Sequence, residues 1–154
     1  MAKLSHLDDQ GRAAMVDVAG KPMELREAEA EAVIALQPET LALVVGGQAK
    51  KGDVLAVARV AGIQAAKQTQ LLIPLCHQIP LSKVQVDFVM EETGIRVKTL
   101  VRTVAQTGVE MEALTAASVA ALTIFDMCKA VDRTMRVDGI RVLRKVKGEQ
   151  AMPP

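Results

Sequence analysis

Two consecutive stretches of the chain alternate between apolar and polar residues with a period of two. Lys83-Val-Gln-Val-Asp-Phe-Val-Met90 puts Val84, Val86 and Phe88 on one face. Ile95-Arg-Val-Lys-Thr-Leu-Val-Arg-Thr-Val104 repeats the pattern after a turn at Glu91-Glu-Thr-Gly94. That spacing predicts an antiparallel hairpin with one polar face. Upstream, Met15-Val-Asp-Val18 alternates briefly before Gly20 and predicts a short strand. Pro22 then opens an expected helix whose exposed face carries Glu24, Arg26, Glu27, Glu29 and Glu31, with Pro38 limiting its extent. Leu41-Ala-Leu-Val-Val45 stops at Gly46-Gly47 and suits either a strand or a short helix end. Asp53 is a good N-cap for a helix through Val60, Ile63 and Ala66 to about Leu71, closed off by Pro74. Thr134–Val146 predicts a last basic strand pair or one long strand.

The segment Ala113–Phe125 carries no charge at all, and predicts a helix apolar on every face that must lie inside the protein or an assembly. Glu110 and Glu112 sit where it begins, near the positive end of its dipole, and Asp126 and Lys129 sit where it ends. Charges at the ends of such an element are expected to be partly desolvated, which is how a carboxylate or an ammonium becomes a useful acid or base. Asp126 and Lys129 fall about 60° apart on a helix and share a face, although the spacing alone suits a surface pair equally well. Glu110 and Glu112 would diverge on a regular helix. They can cooperate only if that stretch is extended or turning, as Thr107-Gly108 permits. Helices on one face of a largely antiparallel sheet give an α+β two-layer sandwich.

The 154 residues suit one continuous domain spanning 1–154, with flexible ends expected over about 1–10 and 148–154. Half of the residues are hydrophobic but only 1% are aromatic, with eight Met, two Phe and neither Trp nor Tyr. The core must therefore be aliphatic. The scarcity of aromatic residues disfavours single-stranded nucleic-acid binding, which uses stacking platforms, and a net charge of +1 is too small to drive phosphate-backbone association, so no nucleic-acid partner is expected. No signal peptide is visible, and no segment reaches the roughly 18 uncharged apolar residues of a membrane span. These features predict a cytoplasmic protein with no membrane contact. Two cysteines, Cys76 and Cys128, make no disulfide framework.

Four clusters carry candidate chemistry: Lys50-Lys51-Gly52-Asp53, Leu72-Ile-Pro-Leu-Cys-His77, Glu110-Met-Glu112 and Asp126-Met-Cys-Lys129. His77 lies between Pro74 and Pro80 in a loop stiffened on both sides, where it suits either a structural hydrogen bond or a reactive role. Adjacent Cys and His rarely serve one metal, and no Cys-x-x-Cys or His-x-x-x-His spacing completes a site, so no metal centre is expected. Lys51 precedes a predicted helix N-terminus, where it is either a solvated loop lysine or a phosphate ligand beside free N–H groups. Arg133, Arg136, Arg141, Arg144, Lys145 and Lys147 make the C-terminal segment basic, as a solvated strand face or an anion site.

Taken in order, these blocks resemble the molybdenum cofactor biosynthesis protein C family, the cyclic pyranopterin monophosphate synthases. The resemblance runs through Met15-Val-Asp-Val18, Lys51-Gly-Asp-Val54, Ala61-Gly-Ile-Gln-Ala-Ala-Lys67, Leu72–His77 and Leu81-Ser-Lys83. Its longest block is Thr107–Ala130. Two departures stand out: Gln78-Ile79 where the family usually has Pro-Leu, and Phe125 where it usually has Tyr. The resemblance implies a ferredoxin-like subunit assembled as a homo-oligomer, a trimer of dimers with active sites at the dimer interface. It also implies conversion of 3',8-cyclo-7,8-dihydro-GTP, supplied by a preceding radical GTP cyclase, to cyclic pyranopterin monophosphate with release of pyrophosphate. By position, Asp126, Lys129 and Lys51 would be catalytic. Leu75, Cys76, His77, Glu110, Met111 and Glu112 would line the substrate, and Arg26, Lys67 and Lys145 would serve the phosphate tail or the interface. No cofactor is implied, and Mg2+ with the phosphates stays open. A non-catalytic oligomeric nucleotide-binding or scaffold protein is the competing reading.

Overall fold

The computed structural model describes residues 5–152. Strands β1 (Glu24–Ala35), β2 (Lys83–Glu91), β3 (Gly94–Ala105), β4 (Arg136–Lys147) and the short β5 (Gln150–Met152) form one antiparallel sheet in the order β2-β3-β1-β4-β5. Helices α1 (Pro38–Val45) and α2 (Val54–Lys67) and the single turn α3 (Thr69–Leu72) fall between β1 and β2, and α4 (Glu110–Cys128) falls between β3 and β4. The two long helices, α2 and α4, pack against each other and on the same face of the sheet. This βαββαβ order, with β1 and β3 at the centre, is the ferredoxin-like α+β sandwich that the resemblance implied.

The predicted hairpin is present, paired in register from Lys83 opposite Arg102 to Glu91 opposite Gly94. Its inward residue Val86 is buried, with Val84 and Phe88 packed beside it. Asp53 does cap α2, its Oδ1 accepting from the Ala56 N–H at 2.9 Å. The helix ends at Lys67, short of the expected Leu71, and α3 follows as a separate turn. Leu41–Val45 belongs to α1, and the basic C-terminal segment is one long strand with β5 paired to its end. The flexibility expected of residues 1–4 and 153–154 lies outside the described residues.

Two expectations fail. The helix expected after Pro22 is the strand β1, and the reason is visible in its alternation. Ala28, Ala30, Ala32 and Ile34 are fully buried on the helix side, while Glu27, Glu29 and Glu31 point to the other face. Ala and Glu favour helices one by one, but a helix would keep Glu27 and Glu31 on one face and turn Glu29 to the opposite side. A central strand gathers them where β3 and β4 supply arginines: Arg102 and Arg144 meet Glu27, and Arg96 and Arg141 meet Glu31. Met15–Val18, expected as a strand, pairs with no strand of the sheet. Its Val16 carbonyl instead accepts a hydrogen bond from His77.

The core is built from small side chains. Ala113, Ala116, Ala117, Ala120 and Ala121 of α4 are fully buried, and α2 reaches them through Gly62. A Cβ at Gly62 would stand 3.0 Å from the Ala116 carbonyl oxygen, 3.1 Å from Val86 Cγ2 and 3.2 Å from Ala120 Cβ. The absence of a side chain there is what lets the two helices approach so closely. By length and composition α4 could cross a membrane, but here it lies between the sheet and α2 as a core helix.

Candidate active site

Both ends of α4 carry polar groups, and they differ in character. At its N-terminal end, the loop after α3 and the N-terminal segment close around the first helical turn to leave a cavity of about 380 Å³. Leu75, Cys76 and His77 line it from the loop, and Glu110, Met111 and Glu112 line it from α4. All six residues named from the sequence as substrate-lining thus face one space. Glu110 and Glu112 do so although the helix begins at Glu110, because the cavity wraps around the helix end; an extended backbone is not needed.

The electrostatics of this cavity follow from burial. Glu112 is only 5% exposed, and burial pushes its carboxyl up to about 7, with its own N–H opposing and the charge of Glu110 adding to the rise. Burial also raises the Cys76 thiol, with the Glu112 charge contributing, so Cys76 is a protonated wall rather than a thiolate nucleophile. His77 Nε2 lies 2.6 Å from the Val16 carbonyl oxygen. A carbonyl only accepts, so Nε2 carries the hydrogen and donates it to Val16.

A cleft of about 90 Å³ adjoins this cavity, and the two share Gly108 and Glu110. Arg26 from β1 and Lys145 and Lys147 from β4 line it, brought together because Arg26 stands opposite Lys147 in the β1–β4 ladder. Lys145 Nζ lies 3.4 Å from Glu110. Among the described residues the buried Nε of Arg26 has no hydrogen-bond partner, although Nη2 of the same side chain donates to Glu24 and to the Gln106 carbonyl. The carboxylates of Glu27 and Glu110 line the same cleft, and each of its three cations faces a glutamate, Arg26 and Lys147 at Glu24 and Lys145 at Glu110. Lys67 is not among them: it lines a separate cleft with Gln70, Gln78 and Pro80.

At the C-terminal end of α4, Lys129 Nζ donates to Asp126 Oδ1 at 2.6 Å. Lys51 Nζ donates to Oδ2 at 3.3 Å and to the Asp126 carbonyl at 3.1 Å. The three predicted catalytic residues therefore touch. Desolvation does not tune them, contrary to expectation: the Asp126 side chain is 58% exposed, and the two lysines, Lys129 first, hold its carboxyl below the usual range. Asp126 lies fourteen residue steps beyond Glu112, about 21 Å along the axis at 1.5 Å per residue.

The MoaC family model matches residues 15–148. The chain belongs to the MoaC family. It is 59% identical over 150 residues to the cyclic pyranopterin monophosphate synthase of Thermomicrobium roseum, covering 96% of this chain and 90% of that protein. It is 58% identical over 148 residues to the cyclic pyranopterin monophosphate synthase of Chloroflexus aggregans, covering 95% and 90% respectively. In this MoaC-family chain the cavity also has lining residues that sequence reasoning did not single out. His6, Val16, Val18 and Lys21 line the larger cavity from the N-terminal segment. Only the run Met15–Val18 left a trace of this in the sequence, as an alternation that never becomes a strand. Among the described residues of this MoaC-family chain, no three His, Cys, Asp or Glu side chains group as metal ligands.

Proposed function

We propose that this protein is a cyclic pyranopterin monophosphate synthase of molybdenum cofactor biosynthesis, a lyase that converts 3',8-cyclo-7,8-dihydro-GTP to cyclic pyranopterin monophosphate and releases pyrophosphate. The observation that carries this proposal is the family match over residues 15–148 together with the convergence of Leu75, Cys76, His77, Glu110, Met111 and Glu112 on one cavity. The purine-derived ring sits against Glu110 and Glu112, and the phosphate tail extends toward Arg26 and Lys145 in the adjoining cleft. Lys67 lies farther out, where it serves the tail's end or a subunit contact.

Rearranging the ring and closing a cyclic phosphate require protons to move and charge to be neutralised. Asp126 orients Lys129 and also holds Lys51; Lys129 is an acid or base for the ring, and Lys51 acts on the ring or the α-phosphate. These groups cannot reach a ring held at Glu112 of the same chain across about 21 Å. The working site therefore joins the N-terminal cavity of one subunit to the Asp126 cluster of another, in a homo-oligomer built as a trimer of dimers. Apolar side chains left exposed on α2, α3 and α4, including Val60, Leu71, Leu72 and Leu122, support such an assembly. The enzyme needs no resident cofactor in this scheme, and a magnesium ion accompanying the phosphates arrives with the substrate. Two cysteines outside any disulfide suit the reducing cytoplasm.

The test is incubation with freshly prepared cyclic dihydro-GTP, following pyrophosphate release and the pterin product after oxidation to its fluorescent form. Both signals in the wild type and neither in Asp126→Ala are expected. Saturable binding without release would make this a non-catalytic nucleotide-binding protein.

A further inference from the structure

The two carboxyl groups at the start of α4 are chemically unequal. Glu110 has a cation beside it, Lys145 at 3.4 Å, and is one-third exposed. Glu112 is 5% exposed, and among the described residues no lysine, arginine or histidine forms an ion pair with it. Its surroundings within the cavity include the apolar side chains of Leu75, Ile79 and Met111. The other ionisable groups lining the cavity are His6 and Lys21 from the N-terminal segment, Cys76 and His77 from the loop after α3, and Glu110 from α4 itself. Burial raises the Cys76 thiol, and Glu110 is paired with its lysine. Of two acids placed in environments this different, the secluded one without a cation is the one that burial favours in its protonated form.

We propose that Glu112 binds the substrate as a neutral carboxylic acid, donating its O–H to the ring carbonyl of the guanine-derived lactam and accepting from the adjacent ring N–H. This rests on the function proposed above and changes one feature of it. A glutamate facing a guanine edge is ordinarily taken as a carboxylate that only accepts. A carboxylate in this position would set its charge against the ring carbonyl oxygen, whereas the acid matches both the acceptor and the donor of the lactam. Burial supports the protonated form, since it pushes the Glu112 carboxyl up from the ordinary 4.5 to about 7. No atoms are exchanged in the binding step; the acid keeps its proton as a hydrogen-bond donor.

Two measurements test this. The first needs no ligand: pH-difference infrared spectra of the wild-type protein should contain a protonated-carboxyl band that disappears with a midpoint near 7 and is missing from Glu112→Gln. A midpoint at the ordinary glutamate value would overturn the proposal, whether or not the protein turns out to be a synthase. The second is the pH dependence of KM. In the wild type, KM should rise about tenfold per pH unit above the Glu112 midpoint, as loss of one required proton dictates. In Glu112→Gln, whose amide keeps an N–H donor at every pH, KM should be flat over the same range while kcat carries its own pH profile. A wild-type KM that is flat through pH 7, or a variant KM that still rises, would count decisively against a donor role. Absence of turnover in the wild type would sink the proposed function but leave the spectroscopic result standing.

Discussion

If the working site is split between subunits, two inactive variants should repair one another. The first would lack the cavity carboxyls, Glu110→Ala with Glu112→Ala, and the second the distal cluster, Asp126→Ala with Lys129→Ala. Within one chain these groups are separated by about 21 Å of helix, whereas acid–base groups must come within about 3 Å of the atoms they serve. Each variant alone then has no complete site. In a randomly reassembled equal mixture, about half of the sites take their cavity from the second variant, and about half of those take their distal cluster from the first, so about a quarter of wild-type turnover returns. The assay is pyrophosphate release after joint unfolding and refolding, or after co-expression with two different affinity tags. Turnover no greater than the mean of the separate variants, in assemblies shown to contain both chains, would refute the shared site and leave the two ends of α4 without a common substrate.

Single replacement of Asp126 or Lys129 by Ala should lower turnover by orders of magnitude while size-exclusion profiles stay unchanged, because both side chains are more than half exposed; loss of assembly instead would indicate a structural role. Gly62→Ala should lower the melting temperature at fixed protein concentration: the gain of about 1 kcal/mol in helix propensity is outweighed by about 1–3 kcal/mol of overpacking against Ala116, Val86 and Ala120. A rise in melting temperature would contradict the close approach of α2 and α4. Glu112→Gln should also change the pH dependence of stability. The folded protein keeps a proton that the unfolded chain loses between pH 4.5 and about 7, so wild-type stability falls across that window, by roughly 3 kcal/mol in all. Denaturant titrations should show the variant gaining on the wild type over that interval and holding a constant difference above it; parallel curves would refute the raised carboxyl. The Glu31 carboxyl shows the opposite sign. Burial alone would raise it, yet Arg141 and Arg96 together hold it below its ordinary 4.5, so its contribution is present above that pH and is lost as the pH falls through its lowered value.

The β2–β3 hairpin and α4 were legible because each has a single dominant period, two for the strands and an uncharged run for the helix. β1 was not. Its alternating Glu and Ala are strong helix formers, and only the arginines of strands distant in sequence reveal why they are extended. At the candidate site, the Asp126–Lys129 pair could be read from helical spacing, but Lys51 reaches Asp126 across 75 residues, a contact that only the packing of the loop before α2 creates. The cationic cleft similarly depends on strand register, which joins Arg26 to the C-terminal lysines. Exposure was misjudged at Asp126 because the apolar run before it says nothing about the direction in which the last turn points. The cavity's N-terminal wall, His6 and Lys21 included, follows from no local pattern.

The alanine seam between α4 and β1 restricts how this protein can vary. Ala28, Ala30 and Ala32 on one side and Ala113, Ala116, Ala117, Ala120 and Ala121 on the other leave no exposed surface. From an alanine codon, one base change leads only to glycine, serine, threonine, valine, proline, aspartate or glutamate. Glycine leaves a void and loosens the backbone, and each of the others is larger, polar or charged, so a sealed interface of methyl groups takes none of them without loss. Cores built from leucine and isoleucine can shrink or exchange shapes at modest cost. Single changes at this seam should therefore cost more stability than changes at the exposed strand edges and loops.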